Sequence, residues 1–205
     1  MKRLGVLFLL LSIVLLLVAC GPAEPIVEVK AAEINLTAAD LGAGFTLAEE
    51  SDLAAILGRT RITTEDKGVL ADADRRVFIS TNVVTATSGV TATQPITRSQ
   101  VIVTVQTYNA SGAAQSGLGE VRDALKEVLA QNAALVAVNA ATVGDQSELW
   151  AAEMPNRGAR IYLFICRRYN VIGVVMAVGP TTLEQTWVLG LGQTLANRVP
   201  APVAK

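Results

Sequence analysis

Two apolar runs flanking a short polar break constrain this chain most. They are Ile161-Tyr162-Leu163-Phe164-Ile165-Cys166 and Val171-Ile172-Gly173-Val174-Val175-Met176-Ala177-Val178, on either side of Arg167-Arg168-Tyr169-Asn170. Each is strand-length and rich in β-branched and aromatic residues, which predicts strands over 159–168 and 171–178 with Tyr169-Asn170 at the hairpin tip. A half-wet antiparallel strand alternates apolar and polar residues. These two do not alternate, so the fold must cover both faces of the hairpin. Three covers stay open at this point: the N-terminal segment, residues 34–74, folded across it; an apolar ligand in a groove between sheet and helices; or a partner surface, a dimer included.

The rest of the chain supplies a sheet and two main helices. Thr37, with Asp40 three residues on, predicts a capped helical turn ended by Gly42 and Gly44, and Phe45 to Ala48 reads as a short strand. Asp52 to Leu57 reads as a short helix, and Arg59 to Asp74 as a loop or irregular strand. Arg75–Thr87 and Arg98–Tyr108 read as an antiparallel pair across a Gly/Thr/Pro loop, with Val101, Val103 and Val105 on one face. In Ala113–Asn132, Leu118, Val121, Leu125, Val128 and Leu129 form one helical stripe. Gly144-Asp145 and Pro155-Asn156-Arg157-Gly158 are turns around a strand over 147–153. Thr181 and Glu184 make a capping-box pattern for a last helix ending near Arg198, with Leu183, Trp187, Leu191 and Leu195 inward. The expected fold class is α+β: a single antiparallel sheet of about five to six strands, with two main amphipathic helices on one face. Trp150 and Trp187 are expected to pin helix to sheet.

Composition excludes more than it assigns. The chain has no histidine, which removes His-based triads, His general bases and His metal ligands together. Seventeen basic residues against eighteen acidic give a net charge of −1, with no basic excess to grip nucleic acid. Two cysteines are present, Cys20 and Cys166. Cys166 lies inside an apolar run and reads as a small buried hydrophobe. Asp72-Ala73-Asp74 has the first spacing of a calcium loop without its glycine or distal glutamate, and reads as a solvated loop. Glu49, Glu50 and Asp52 read as charge near a helix start. Of Arg75-Arg76 and Arg167-Arg168, one member of each pair is expected to face solvent. No phosphate loop, dinucleotide fingerprint or nucleophile elbow occurs. No catalytic residue, cofactor site or metal site is expected, and the chain is read as no enzyme.

The N terminus reads as an export signal. Lys2 and Arg3 precede an apolar run from Leu4 to Ala19, about 24 Å long as a helix at ~1.5 Å per residue. A hydrocarbon core is roughly 30 Å thick, so the run suits a signal peptide better than a membrane span. It ends in Leu17-Val18-Ala19-Cys20, which resembles the lipobox of bacterial lipoproteins. The resemblance implies cleavage before Cys20 and a thioether-linked diacylglyceryl group on its sulfur. Two acyl chains hold a protein stably at a membrane. Residues 1–19 are then the signal peptide, 20–33 the lipidated cysteine and a flexible linker with Pro22 and Pro25, 34–199 one domain, and 200–205 a tail.

From residue 75 to 199 the layout resembles small bacterial lipoproteins and some PsbP-like and kinase-sensor extracellular domains. The shared cues are Gly144-Asp145, the basic-aromatic tip Arg167-Arg168-Tyr169-Asn170, the Val-rich return strand and the C-terminal helix. The resemblance carries no catalytic residue. The expected function is a lipid-anchored extracytoplasmic domain at the cell membrane, or at an outer membrane where the cell has one, that binds or scaffolds without catalysis. Its partners would be the membrane through the lipid on Cys20 and an apolar ligand or an envelope protein. The alternatives are a carrier or sensor for a small apolar ligand or lipid, and a carboxylate- or Ser/Thr-dependent hydrolase.

Overall fold

The computed structural model describes residues 25–48, 69–80, 98–130 and 133–202. Cys20, the acidic cluster at Glu49, Glu50 and Asp52, and the helix expected over 52–57 lie outside these residues. In chain order the elements are α1 (Ala31–Ile34), α2 (Ala38–Leu41), β1 (Phe45–Ala48), β2 (Leu70–Ser80), β3 (Gln100–Tyr108), α3 (Ser111–Ala130), β4 (Val136–Val138), β5 (Gln146–Met154), a 3₁₀ turn (Pro155–Arg157), β6 (Ala159–Arg168), β7 (Val171–Pro180) and α4 (Gln185–Arg198). The strands form one antiparallel sheet in the order β1-β2-β3-β7-β6-β5-β4. Two meanders, β1–β3 and β4–β7, thus meet where β7 pairs with β3. The sheet has seven strands rather than five to six. The unforeseen strand is β4, three residues long and mostly exposed, pairing Val136 with Ala151 and Val138 with Leu149.

The helices lie on opposite faces of the sheet, not together on one. On one face α3 packs Leu118, Val121, Leu125 and Leu129 over Ile102, Ile161, Leu163, Ile165, Ile172, Val174 and Met176. On the other, α4 packs Val188, Leu191 and Leu195 over Val103, Phe164, Cys166, Val171, Val175 and Ala177. Successive side chains of β6 go to alternate faces, as strand geometry requires, and both destinations are core. The hairpin is therefore apolar on both sides because it is the middle layer of three. Topology explains the split. After β3 the chain must reach the far edge of the sheet to start β4, and α3 makes that crossing over β6 and β7. After β7 it is already at the centre, and α4 turns back across the free face.

The second face has a second cover. Residues 27–41 run along it beside α4, with Val27, Ala31, Ile34, Leu36 and Leu41 all buried in the same core. Full burial of a Val, Leu or Ile side chain contributes about 1.5–3 kcal/mol. This segment, called the strap below, is thus an integral layer. It corrects the flexible linker expected over 20–33: from residue 27 onward that stretch is packed, and Ala31–Ile34 is helical. It also answers in part the cover expected from residues 34–74.

Local signals set most boundaries. Thr37 and Asp40 form the expected capping box of α2. Gly144 has φ 72°, and a Cβ there would lie 2.5 Å from the Arg167 carbonyl oxygen, so the turn requires glycine. The Thr181/Glu184 box does not form. Pro180 still belongs to β7, and α4 begins one turn later with Glu184 at its cap position and no side-chain cap bond. Strand β2 begins at Leu70, so Asp72–Asp74 is strand and not loop.

Candidate functional site

Three of the charged groups that sequence singles out, Asp72, Asp74 and Arg76, are brought together on β2, and what they bind is the strap. Asp72 and Asp74 sit on the same side of β2. The Asp72 carboxylate accepts from the Ala31 backbone N–H at 2.9 Å. Asp74 accepts from the Asn35 side-chain amide at 2.8 Å and pairs with Arg76 Nε at 2.9 Å. Arg76 then donates to the carbonyls of Leu36 (3.0 Å) and Ala32 (2.7 Å). Alternation along the strand places 72, 74 and 76 on one face, and every one of them satisfies strap backbone or an adjacent side chain. The calcium-loop spacing is thus a by-product of strand periodicity.

Arg198, in the last turn of α4, closes the strap from the other side. It donates to the Asn35 carbonyl and to Asp40 Oδ1, both at 2.6 Å. Burial opposes the charged form of Asp40. The Thr37 backbone N–H and hydroxyl, with the Arg198 guanidinium, outweigh it and hold the carboxyl below its usual range.

Asn170 is the group that sequence reading missed. It reads as a hairpin-tip residue, yet it is 2% exposed and ties three segments. Its Oδ1 accepts from the Val27 N–H at 2.8 Å, and its Nδ2 donates to the carbonyls of Val27 (3.1 Å) and Tyr108 (2.7 Å). Its own carbonyl accepts from the Tyr108 N–H. The tip conformation that aims it inward places Tyr169 at φ 55°, a left-handed value uncommon outside glycine. The Asp145 carboxylate accepts from the Tyr169 N–H at 2.6 Å and holds that turn. The local signal was the Gly-Asp turn; the partner at residue 27 was invisible to spacing.

The two arginines of the tip are also engaged in the fold. Arg167 is buried and donates to the Tyr169 carbonyl, and Arg168 donates at 2.8 Å to the Ala196 carbonyl at the end of α4. An arginine at that end also complements the helix dipole. Cys166 is buried on the α4 face, where desolvation pushes its thiol up to about 12, so it stays protonated and inert at neutral pH. Trp150 packs on the α3 side with the Lys126 ammonium 5.4 Å from its ring, and Trp187 stacks on Phe45 at 5.5 Å. Both tryptophans pin helix to sheet as expected.

One depression of about 220 Å³ opens beside β4, lined by Asn139, Ser147, Glu148, Leu149, Trp150 and Phe164 among others. Glu148 is committed to Arg122 and Ser147 to the Val143 N–H. Among the described residues no group of three His, Cys, Asp or Glu side chains is placed to hold a metal ion. Among the same residues no helix is long and apolar enough to cross a membrane.

No family model and no curated protein matches the chain. A solved structure does: the extracellular domain of PknH from Mycobacterium tuberculosis, with a TM-score of 0.52 over 86% of this chain and 98% of that one. The two are 12% identical, so the likeness is one of fold.

Proposed function

We propose that this chain is a lipid-anchored extracytoplasmic lipoprotein whose single α+β domain binds or scaffolds without catalysis. The observation that carries the anchor is Leu17-Val18-Ala19-Cys20 at the end of an export signal, a few residues before a docked domain. For the absence of catalysis, the support is the fate of the polar groups. Asp72, Asp74, Arg76, Arg168 and Arg198 are all engaged by backbone or by one another, and none converges on a cleft. The fold shared with the extracellular domain of PknH is in keeping with a place outside the cytoplasm. Against a carrier of apolar ligands stands the packing of α3, α4 and the strap on the two faces of the hairpin.

The test is Cys20→Ser in the producing bacterium, followed by fatty-acid labelling and membrane fractionation. The variant should lose the acyl label and leave the membrane fraction. An unlabelled wild-type protein, or unchanged fractionation of the variant, would remove the anchor.

A further inference from the structure

We infer that one end of the sheet is held against the bilayer: the end formed by the 144–145 turn, the 169–170 hairpin tip and the start of α3. The inference rests on lipidation of Cys20. It adds an orientation, which comes from where the strap docks. The first described residue, Pro25, is already fastened at this end, because its carbonyl accepts from the Ser111 hydroxyl at 3.1 Å. Two residues later both backbone groups of Val27 are clamped by the buried Asn170 amide. The strap then runs away from this end, past Asp72 at Ala31 and Asp74 at Asn35.

Chain length turns that docking into a bound. Five peptide steps separate Cys20 from Pro25 and span about 17 Å at most. Strand β6 alone, ten residues long, measures roughly 30 Å. The tether is therefore shorter than the sheet. The domain cannot stand on its far end, with the Pro155–Arg157 turn at the headgroups and the near end away from them, unless the strap is pulled out of the core. Val27, Ala31, Ile34 and Leu36 oppose that, since each would be exposed to water.

The chemistry of the near end suits a lipid surface. Ile26 is 47% exposed there, beside exposed Asn109, Ala110 and Gly112 and the half-buried Tyr169. An isoleucine and an amphipathic tyrosine are suited to a headgroup layer. Of the acids at this end, Asp145 already accepts from the Tyr169 N–H, and Glu28 beside Val27 is exposed. The β4 edge and the Pro155–Arg157 end would then be the surfaces left open to soluble partners.

The test uses the full lipidated chain in phosphatidylethanolamine/phosphatidylglycerol vesicles carrying a headgroup-linked quencher. Ala110→Cys and Asn156→Cys, both at exposed positions, each take a thiol fluorophore, because Cys166 is buried and Cys20 acylated. Quenching should be severalfold stronger at 110 than at 156. Inserting about twenty Gly/Ser residues between Pro22 and Ala23 adds ~25 Å of average reach and should erase the difference. Equal quenching of the two labels on acylated, native-length protein overturns the orientation and leaves the anchor standing. Loss of acylation in the wild type overturns the anchor and the orientation together.

Discussion

Two glycines of α4 separate intrinsic helix propensity from packing, and so test the closeness of the layer that holds the strap. Gly190 is exposed, and a Cβ built on it meets nothing within 4 Å. Gly192, two residues on, is buried, and its Cβ would stand 2.2 Å from Phe164 Cε1 and 2.6 Å from Cδ1. Glycine costs a helix interior about 1 kcal/mol relative to alanine, so Gly190→Ala should gain roughly that amount. Gly192→Ala gains the same propensity and adds overpacking, which costs about 1–3 kcal/mol. The ring it strikes is 1% exposed on a central strand and cannot swing into water, which places the cost at the upper end. A net loss of about 1–2 kcal/mol is expected. For a domain of this size 1 kcal/mol moves Tm by roughly 2–4 °C. Thermal unfolding followed by circular dichroism should therefore show Gly190→Ala rising by about 2–4 °C and Gly192→Ala falling by a similar amount or more. The double variant Gly192→Ala/Phe164→Leu should recover part of the loss, since contacting residues couple. If Gly192→Ala stabilises as much as Gly190→Ala, α4 does not lie this close to β6 and the three-layer packing is wrong.

The remaining predictions concern the strap and the buried thiol. Asn170→Ala leaves the Val27 N–H and the Val27 and Tyr108 carbonyls without their side-chain partner. At about 1–3 kcal/mol for each buried group so stranded, it should lower denaturant stability by several kcal/mol and speed hydrogen exchange at Val27; an unchanged midpoint counts against the clamp. Asp40 titrates lower in the fold than unfolded, so it contributes stability above the unfolded value of about 3.9 that is lost as pH falls through the lower folded value. Asp40→Asn should accordingly flatten the acid limb of the stability profile below about pH 5 relative to wild type; superimposable limbs refute the role. Cys166 ionises near 12 in the fold against 9.0 unperturbed, so it should react with a thiol reagent only at the global unfolding rate, and its contribution to stability should fade as pH rises above about 9. Rapid labelling of the native protein at pH 8 would contradict its burial.

What sequence showed, and what it hid, divides by the range of the interaction. The α2 capping box, the β6–β7 hairpin and the end of α4 at Arg198 are settled by neighbours a few residues apart, and all lie where residue spacing predicts them. Strand β4 escaped because three half-wet residues hold no period; it exists only because β5 offers a ladder. The start of β2 escaped because its acids look like loop, and they are compatible with strand only while strap backbone meets them. Placing the helices on one face was an error of kind. A helical stripe tells which side of the helix is buried, not which side of the sheet it covers. The hairpin held the correction: apolar on both faces, it required two covers, and the chain had two long helices to give. The strap was misread for the same reason as Asn170. Their bond joins residues 143 apart in sequence, and a short aperiodic segment next to Pro22 and Pro25 that pairs with a distant amide reads locally as linker. That misreading matters for function. A flexible linker over 20–33 would let the domain face any direction, whereas a strap docked from Pro25 onward leaves five peptide steps between Cys20 and the fold. With the proposed lipid on Cys20, the feature that local reading dismisses as spacer would orient the whole domain.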